Sequence, residues 1–279
     1  MHGIVDMPAD EYHRHEALSS SGARKLLPPS CPAKYRYERD HGQPPKADFD
    51  FGKAAHKRVL GVGEDVVVVD AGDYKTKAAQ EARDQAYAEG KVPILPKEDA
   101  VIDEMVKALR GHPIASVLLD PARGGKPEQS AFWTDAESGV DCRARFDWLP
   151  ALDRGSRLIV PDYKTARGAD LASIGRSLDD YGYARQAAWY LDAVAALGLA
   201  ESAAFVFVVQ EKTAPYLVTV VDIDATSMAA GRFYNQQARR VFAECLATDT
   251  WPGYVPDGEV GTASLPGWAL NRYFEESGQ

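Results

Sequence analysis

Hydrophobic and polar positions follow two different periods along this chain, and the change comes a little before the middle of the sequence. Before that point, apolar residues recur every three to four positions, most clearly over residues 74–90 and 97–111, which predicts amphipathic helices. After it, apolar and polar residues alternate over residues 128–134, 140–149 and 157–165, which predicts strands. A helical first part therefore precedes a region built on a sheet.

The remaining elements follow from the same two patterns. Further helices are predicted over residues 18–27, 32–40, 49–60, 170–178, 181–197 and 226–247, and further strands over residues 66–69, 203–210 and 216–223. Serines at the start of the first helix suit an N-cap. Turns are predicted at Ser138-Gly139 and at residues 153–155, so the strands between residues 128 and 165 are expected to form a three-stranded antiparallel meander.

Composition and charge exclude several classes of protein. The chain has 279 residues, of which 45% are hydrophobic, and this permits one large domain with a sizeable core. Its net charge of −9 argues against a protein that coats nucleic acid non-specifically, but a basic groove can lie on an acidic body. Cys31, Cys142 and Cys245 form no close pair, so neither a disulfide framework nor a zinc knuckle is expected. We find neither a signal peptide nor an apolar run that could span a membrane, so a cytoplasmic protein without a membrane partner is expected.

The candidate chemistry lies at the ends of two predicted strands. Asp147 closes one strand, and Asp162 and Lys164, two apart on the next, point to the same face. Neighbouring carboxylates repel each other unless a cation or a proton separates them. Oxygen ligands favour Mg²⁺ or Mn²⁺ over Zn²⁺. A lysine beside such a metal can orient an attacking water, help to deprotonate it, or stabilise charge on a phosphate.

Two further pairs lie at helical spacing. Gly52 and His56 are four residues apart on one predicted helix, and Gln186 and Tyr190 are four apart on another, so each pair shares one side of its helix. A glycine one turn before the histidine would let another backbone approach it closely. Taken alone, His56 is more often a packed or surface histidine than a metal ligand, and the Gln186 and Tyr190 pair is more often surface polarity and core packing.

Taken in order, these pieces resemble the PD-(D/E)XK nuclease superfamily in its RecB-like branch. The matching pieces are the Gly52–His56 helix, Asp147 at a strand end, the Asp162-Tyr163-Lys164 triplet preceded by Pro161, and the Gln186 and Tyr190 pair. The chain also resembles the RecE-type phage and prophage exodeoxyribonucleases (exonuclease VIII-like) in the serine-rich residues 18–21 and in residues 51–56, 128–133 and 140–147. The likeness covers roughly residues 18–223.

The resemblance implies an α/β (α+β) fold with a central mixed sheet, an antiparallel meander and flanking helices. It implies one nuclease domain over residues 1–279, with a mostly helical part at 1–125, a catalytic core at 126–223, and a C-terminal helix and tail at 224–279.

The resemblance also implies roles for the site residues. Asp147 and Asp162 would be the principal metal ligands, joined by the backbone carbonyl of Tyr163 and by a ring nitrogen of His56. Lys164 would position the nucleophilic water. Two Mg²⁺ or Mn²⁺ ions in one site would activate the water and stabilise the leaving oxygen of an in-line hydrolysis.

Supporting roles follow in the same way. Glu128 would be a further ligand or would orient one, although an acidic residue that opens a strand is commonplace. Gln186 and Tyr190 would hydrogen-bond the DNA backbone or support the metal ligands from the flanking helix.

Two arginines precede the strand-terminal carboxylate. Arg143 and Arg145 share a strand face with Asp147, so they could contact phosphates. An ion pair with Asp141 or Glu137 is an equally good expectation.

The function that the resemblance implies is a metal-dependent exodeoxyribonuclease in the cytoplasm of a bacterial host, encoded by a phage or prophage. It would digest linear double-stranded DNA from the 5′ end and leave 3′ single-stranded tails for a RecT-type annealing partner, as a ring-shaped homo-oligomer of three or four subunits. No iron–sulfur cluster is expected, because Cys245 is the one cysteine after residue 221. A nuclease of other specificity, for single strands or internal sites, and a non-catalytic DNA-end-binding protein are the alternatives.

Overall fold

The computed structural model describes residues 1–42, 47–152, 155 and 157–278. Of the predicted turn at residues 153–155, Asp153 and Arg154 lie outside the described residues, while Gly155 is a turn residue with a φ of 94°.

The helices and strands are as follows. The α-helices are α1 (Ala9–Arg14), α2 (Ser20–Lys25), α3 (Pro32–His41), α4 (Ala47–Leu60), α5 (Lys77–Ala88), α6 (Pro96–Gly111), α7 (Ala115–Leu118), α8 (Leu171–Asp180), α9 (Tyr183–Ala196), α10 (Ala225–Thr248) and α11 (Gly267–Ser277). The strands are β1 (Gly3–Val5), β2 (Leu18–Ser19), β3 (Val66–Val68), β4 (Val92–Ile94), β5 (Lys126–Thr134), β6 (Asp141–Leu149), β7 (Leu158–Ala166), β8 (Ala203–Glu211) and β9 (Val218–Asp222).

The predicted hairpin is confirmed, and it forms the middle of a four-stranded sheet. β5 and β6 pair antiparallel around the turn that contains Gly139, whose φ of 69° is one that glycine adopts without strain. β1 adds antiparallel to β5, and β2 adds parallel to β6, so the strand order is β1-β5-β6-β2. This sheet carries the strand-terminal Asp147.

The third strand of the expected meander is corrected by the structure. Among the described residues, β7 pairs in parallel with β8 and not with β6, and Asp162 lies opposite Phe207. β9 pairs antiparallel with β8. A parallel pair needs a long crossover, and α8 and α9 supply it. β7 meets β6 through a side chain, because the amide N–H of Tyr163 donates to Oδ2 of Asp147 at 2.9 Å.

Helices cover both faces of the strands that carry the site. α9 packs against β5, β6 and β8 and thereby joins the two sheets. Its side chain Trp189 is fully buried. α4 and α6 pack on the other face of β7 and β8, around Tyr163 and Val208. The alternation along β7 therefore directs Asp162 towards α9 and Tyr163 towards α4 and α6.

The first 19 residues add two strands and a helix that periodicity did not predict. β1 and β2 are three and two residues long, too short for a period to be recognised, and they form only by pairing with longer strands. The predicted serine cap is confirmed at Ser19, whose Oγ accepts from the N–H of Gly22 at 3.1 Å. Among the helices of the described residues, none is both long and apolar enough to cross a membrane.

Candidate functional site

Two acidic residues face each other across the β5–β6 hairpin. The neighbours of Glu128 and Asp147 on both sides are cross-strand partners, so positions 128 and 147 lie opposite each other on one face. Glu128 has a φ of 53°, which is sparsely populated for a residue with a side chain. Such backbone strain persists only where the surrounding structure enforces it.

An imidazole from a distant helix completes this group. Nε2 of His56 lies 3.1 Å from Oδ2 of Asp147, and its Nδ1 lies 3.4 Å from Oε1 of Glu128. α4 reaches this place because Ala54, Ala55 and neighbouring apolar residues bury its other side against the core. The structure thus brings His56 to the acidic strands, while its role as a metal ligand stays a prediction.

The glycine one turn earlier lies beside a side chain. A Cβ placed on Gly52 would lie 3.6 Å from the hydroxyl oxygen of Thr165, an ordinary contact. No backbone atom of the described residues outside the helix and its neighbours lies within 4 Å of that Cβ position. The close approach of another backbone to His56 stays a prediction.

The three residues form a group with the donor set of a divalent-cation site. One ligand atom each from His56, Glu128 and Asp147 lie within 4.8 Å of one another. Carboxylate oxygens with one imidazole nitrogen suit Mn²⁺ and Mg²⁺. Of the described residues, this close group includes Glu128 and leaves out Asp162, which was expected to be a principal ligand. The role of Asp162 as a ligand stays a prediction.

Asp162 is buried beside this group. Its Oδ2 accepts a hydrogen bond from Nε2 of Gln186 at 2.6 Å, and its Oδ1 contacts the ammonium of Lys164. That Oδ1 has no hydrogen-bond donor in favourable geometry within the described part of the chain, although it is fully buried. The charge of this oxygen is offset by Lys164, so the fit to a divalent metal rests on the neighbouring donor set of His56, Glu128 and Asp147.

The ionisable side chains of the site shift one another's pKa values. Burial raises the pKa of Asp162, and the neighbouring carboxylate of Asp147 raises it further, against the opposing effect of Lys164. Burial acts in the same direction on Asp147, but His56 and Lys164 outweigh it and lower the pKa of that carboxyl. Burial opposes the charge on His56, but Asp147 and Glu128 raise its pKa. The imidazole of His56 and the amine of Lys164 therefore offset the negative charge of the two aspartates.

Tyr163 supports the site with groups other than the predicted carbonyl. Its N–H donates to Asp147, and its hydroxyl donates to Oε1 of Gln210 at 2.7 Å, deep in the core. Gln210 is held in turn by the carbonyl of Met105, to which its Nε2 donates at 2.7 Å. The assignment of the Tyr163 carbonyl as a metal ligand stays a prediction.

Gln186 and Tyr190 on α9 hydrogen-bond to the strands that carry the acidic residues. Gln186 donates to Asp162, and the hydroxyl of Tyr190 donates to the carbonyl of Arg145 at 2.8 Å. Both residues also line the cleft in front of the site. Gln186 therefore holds Asp162 and Tyr190 holds the backbone of β6, while support of metal ligands and hydrogen bonds to DNA both stay predictions.

The expected ion pairs of the two arginines are wrong. Arg145 pairs with Glu128, while Arg143 lies buried with its guanidinium 4.6 Å from the ring centre of Tyr12. Asp141 instead accepts from the hydroxyl of Thr134, and Glu137 pairs with an arginine of α10. Sequence analysis missed these partners because residues far apart in the chain supply them.

A cleft of about 380 Å³ opens in front of the acidic group. Its lining combines the site residues Glu128, Arg145, Asp147, Gln186 and Tyr190 with Tyr12, His13, Ser19, Ser20, Ser21, Arg24, Tyr181 and Gly182. Sequence analysis gave the serines only a capping role and gave Arg24 and Tyr181 none. The recognisable signal was the serine-rich run, which the resemblance included but did not connect to the site.

Comparison with known proteins places this geometry in a family. The family described as "PDDEXK-like domain of unknown function (DUF3799)" matches residues 19–260. A crystal structure of a protein from Eubacterium rectale, described as a candidate exonuclease, is similar over 95% of this chain and 98% of that chain, with 11% identity and a TM-score of 0.58.

Other comparisons add little. The crystal structure of SSO0001 covers 75% of this chain and 88% of its own, with 16% identity and a TM-score of 0.30, too low to bear on the fold. No curated protein matches the chain. Because the family match spans most of the sequence and the E. rectale structure shares its fold, this chain belongs to the PDDEXK-like family and has the mixed α/β nuclease fold of that family.

Proposed function

We propose that this protein is a metal-dependent exodeoxyribonuclease that hydrolyses phosphodiester bonds of linear double-stranded DNA from the 5′ end. The observation that carries the proposal is the meeting of His56, Glu128 and Asp147 beside the buried Asp162–Lys164 pair. Membership of a PDDEXK-like family supports a nuclease, and the description of the E. rectale protein supports an exonuclease.

The residues divide the work of hydrolysis. Glu128, Asp147 and His56 would hold a divalent cation, Mg²⁺ or Mn²⁺. Asp162, which is buried beside them, would be a further ligand. The bound cation supplies Lewis-acid stabilisation of the phosphate and lowers the pKa of a coordinated water. We propose two ions per site, and the stoichiometry of metal binding tests this number.

Lys164 acts on the reacting phosphate. Burial lowers the pKa of Lys164, but the carboxylates of Asp162 and Asp147 raise it above its ordinary value. The amine is therefore an ammonium at neutral pH, and Lys164 donates hydrogen bonds to the water and to the phosphate oxygens. The water loses a proton to solvent as its oxygen forms the new bond to phosphorus, the bond to the leaving sugar oxygen breaks, and that oxygen takes up a proton from solvent. Gln186 holds Asp162 in place throughout, since its amide donates to the carboxylate at 2.6 Å.

The proposal extends to the setting of the enzyme. We propose one nuclease domain in the bacterial cytoplasm, of phage or prophage origin, that passes 3′ single-stranded tails to a RecT-type annealing protein during recombination. A ring of three or four copies would enclose duplex DNA and reconcile binding with the net charge of −9, if its cationic groups line the inside.

The deciding experiment compares DNA substrates. Purified protein is incubated with linear duplexes labelled separately at the 5′ and 3′ ends, with circular duplex and with single strands, each with and without Mg²⁺ or Mn²⁺. We expect metal-dependent early release of the 5′ label from linear duplex, while circular DNA stays intact. Cleavage of circular DNA would indicate an endonuclease, and cleavage of single strands alone would indicate a nuclease specific for single strands. Intact DNA under all conditions would favour a non-catalytic DNA-end-binding protein.

A further inference from the structure

The corner between α8 and α9 presents an aromatic ring to the cleft. Tyr181 lines the cleft and is 63% exposed, so its ring is accessible to a ligand in the cleft. Its ring lies 5.6 Å from that of Tyr183, which is stacked on Phe207 at 4.9 Å. This row of rings begins near Lys164, whose ammonium lies 5.6 Å from the ring centre of Tyr183, and it ends at the cleft.

The side chain of Arg24 lies against the same corner. Gly182, with a φ of 70°, separates the two helices, and a Cβ there would lie 2.7 Å from Cδ of Arg24. Arg24 donates to the carbonyl of Asp180 at 2.9 Å, so the backbone of the corner fixes its position. Within the described residues, no carboxylate lies within ion-pair distance of Arg24, in contrast to Arg145 in the same cleft, which pairs with Glu128. Arg24 therefore keeps charge available for an anion.

The lining of the cleft thus combines three kinds of group. Its carboxylates suit a metal-bound phosphate, Ser20 and Ser21 lie with the cationic Arg24, and Tyr181 adds an exposed aromatic ring. A flat ring suits the face of any base, and stacking of this kind is tolerant of sequence. A base inside a duplex is stacked on both faces, so the base that meets Tyr181 is one with a free face, at the end of a strand or out of its stack.

We infer that the cleft receives the terminal nucleotide of a DNA strand, whose base stacks on Tyr181 while an adjoining phosphate meets Arg24. This inference rests on the proposed function and adds to it a contact with the base at the strand end, next to the reacting phosphate.

The test measures binding with the full chain. Calcium replaces magnesium, and fluorescence anisotropy follows a labelled single strand of about 12 nucleotides, within the usual site sizes. A second strand of the same length lacks its bases at the terminal positions. Stacking on an aromatic ring contributes about 1–3 kcal/mol per base, so Tyr181→Ala is expected to weaken binding of the first strand by about 5- to 150-fold. Binding of the abasic strand by the same variant is expected to change less than about twofold, because no base is left to stack.

Two variants complete the design. Tyr181→Trp retains an aromatic face and is expected to bind the base-bearing strand as the wild type does. Tyr273→Ala removes a ring that is 51% exposed on α11, outside the cleft, and is expected to have no effect on either strand.

The outcomes separate this inference from the proposed function. Wild-type protein that binds DNA, together with Tyr181→Ala that binds both strands like the wild type, would overturn the stacking role and leave the nuclease proposal standing. An equal loss for the base-bearing and abasic strands would also overturn it, because the loss would then be unrelated to a base. Wild-type protein that neither binds nor cleaves any DNA would overturn both.

Discussion

Nε2 of His56 lies 3.1 Å from Oδ2 of Asp147, although 91 residues separate them in the chain. The carboxylate is also held by the amide of Tyr163, so both the helix and the neighbouring strand fix one oxygen. This arrangement fixes the ligand atoms before a metal arrives. Preorganised ligands of this kind favour metal binding because little order is lost when the ion enters.

His56→Ala should therefore weaken metal binding. The change removes a nitrogen donor and leaves the facing carboxylates of Glu128 and Asp147 without the imidazole between them. We expect the affinity for Mn²⁺ to fall by at least about tenfold, the smallest loss usual for partners even outside the ligand set. Isothermal titration calorimetry without DNA measures it. His41→Ala, on the exposed end of α3, is the matched control, and equal affinities in both variants would remove His56 from the ligand set.

Lys164→Ala should separate cleavage from binding. The ammonium of Lys164 contacts Asp162. In the proposed mechanism it also stabilises the phosphate, so the substitution removes that stabilisation and leaves the rest of the cleft in place. We expect the single-turnover cleavage rate to fall by about 10²- to 10³-fold or more, with DNA affinity in Ca²⁺ changed only a few-fold.

Lys91→Ala controls for the loss of one lysine charge, since Lys91 pairs with Glu89 away from the site. A Lys164→Ala protein that cleaves at the wild-type rate would contradict the assigned role.

Glu128 should respond to glycine and alanine differently from an ordinary strand residue. Both changes remove the pair with Arg145, but only glycine adopts a φ of 53° without strain. We expect Glu128→Gly to be more stable than Glu128→Ala by about 0.5–1 kcal/mol in urea unfolding.

At Gln129, the next residue on β5, the order should reverse, because glycine weakens an ordinary strand. A Glu128→Ala protein at least as stable as Glu128→Gly would show that the left-handed backbone there carries no strain.

Two helical glycines should differ in their tolerance of alanine. A Cβ on Gly231 of α10 would lie 2.3 Å from the carbonyl oxygen of Ala184 on α9, a backbone atom that cannot move aside alone. We expect Gly231→Ala to destabilise the protein by about 1–3 kcal/mol. Gly52→Ala meets only Thr165 at 3.6 Å and should be neutral or stabilising by up to about 1 kcal/mol. Urea unfolding of both variants checks the contrast, which equal stabilities would refute.

Asp135 should make stability depend on pH in acid. Burial raises the pKa of this carboxyl, but hydrogen bonds from Ser138 and the charge of Arg239, 3.2 Å away, together lower it below its usual value. A carboxyl whose pKa is lower in the folded state stabilises the fold above its unfolded pKa, about 3.9. That stabilisation is lost as the pH falls through the lower, folded pKa.

The measurement compares the free energy of unfolding of wild type and Asp135→Asn at about pH 6 and about pH 3. We expect the wild-type advantage to shrink at the lower pH. The same advantage at both pH values would mean that Asp135 has equal pKa values in the folded and unfolded states.

Local pattern was sufficient for those parts of the site that lie within one element. Alternation predicted that Asp162 and Lys164 share a strand face, and the two are in contact. Helical spacing grouped Gln186 with Tyr190, and both reach the acidic strands. Period and spacing are properties of a single strand or helix, so the sequence determines them without knowledge of the fold.

Only the tertiary structure decided which distant groups meet. The sequence left Glu128 between ligand and ordinary strand residue, and the hairpin register with its left-handed φ brings it to His56 and Asp147. Packing of α9 across both sheets places Tyr181 and Arg24 at the same cleft. These meetings depend on how buried faces fit together and on which charges compete for a partner, and neither is written in the period of any one segment.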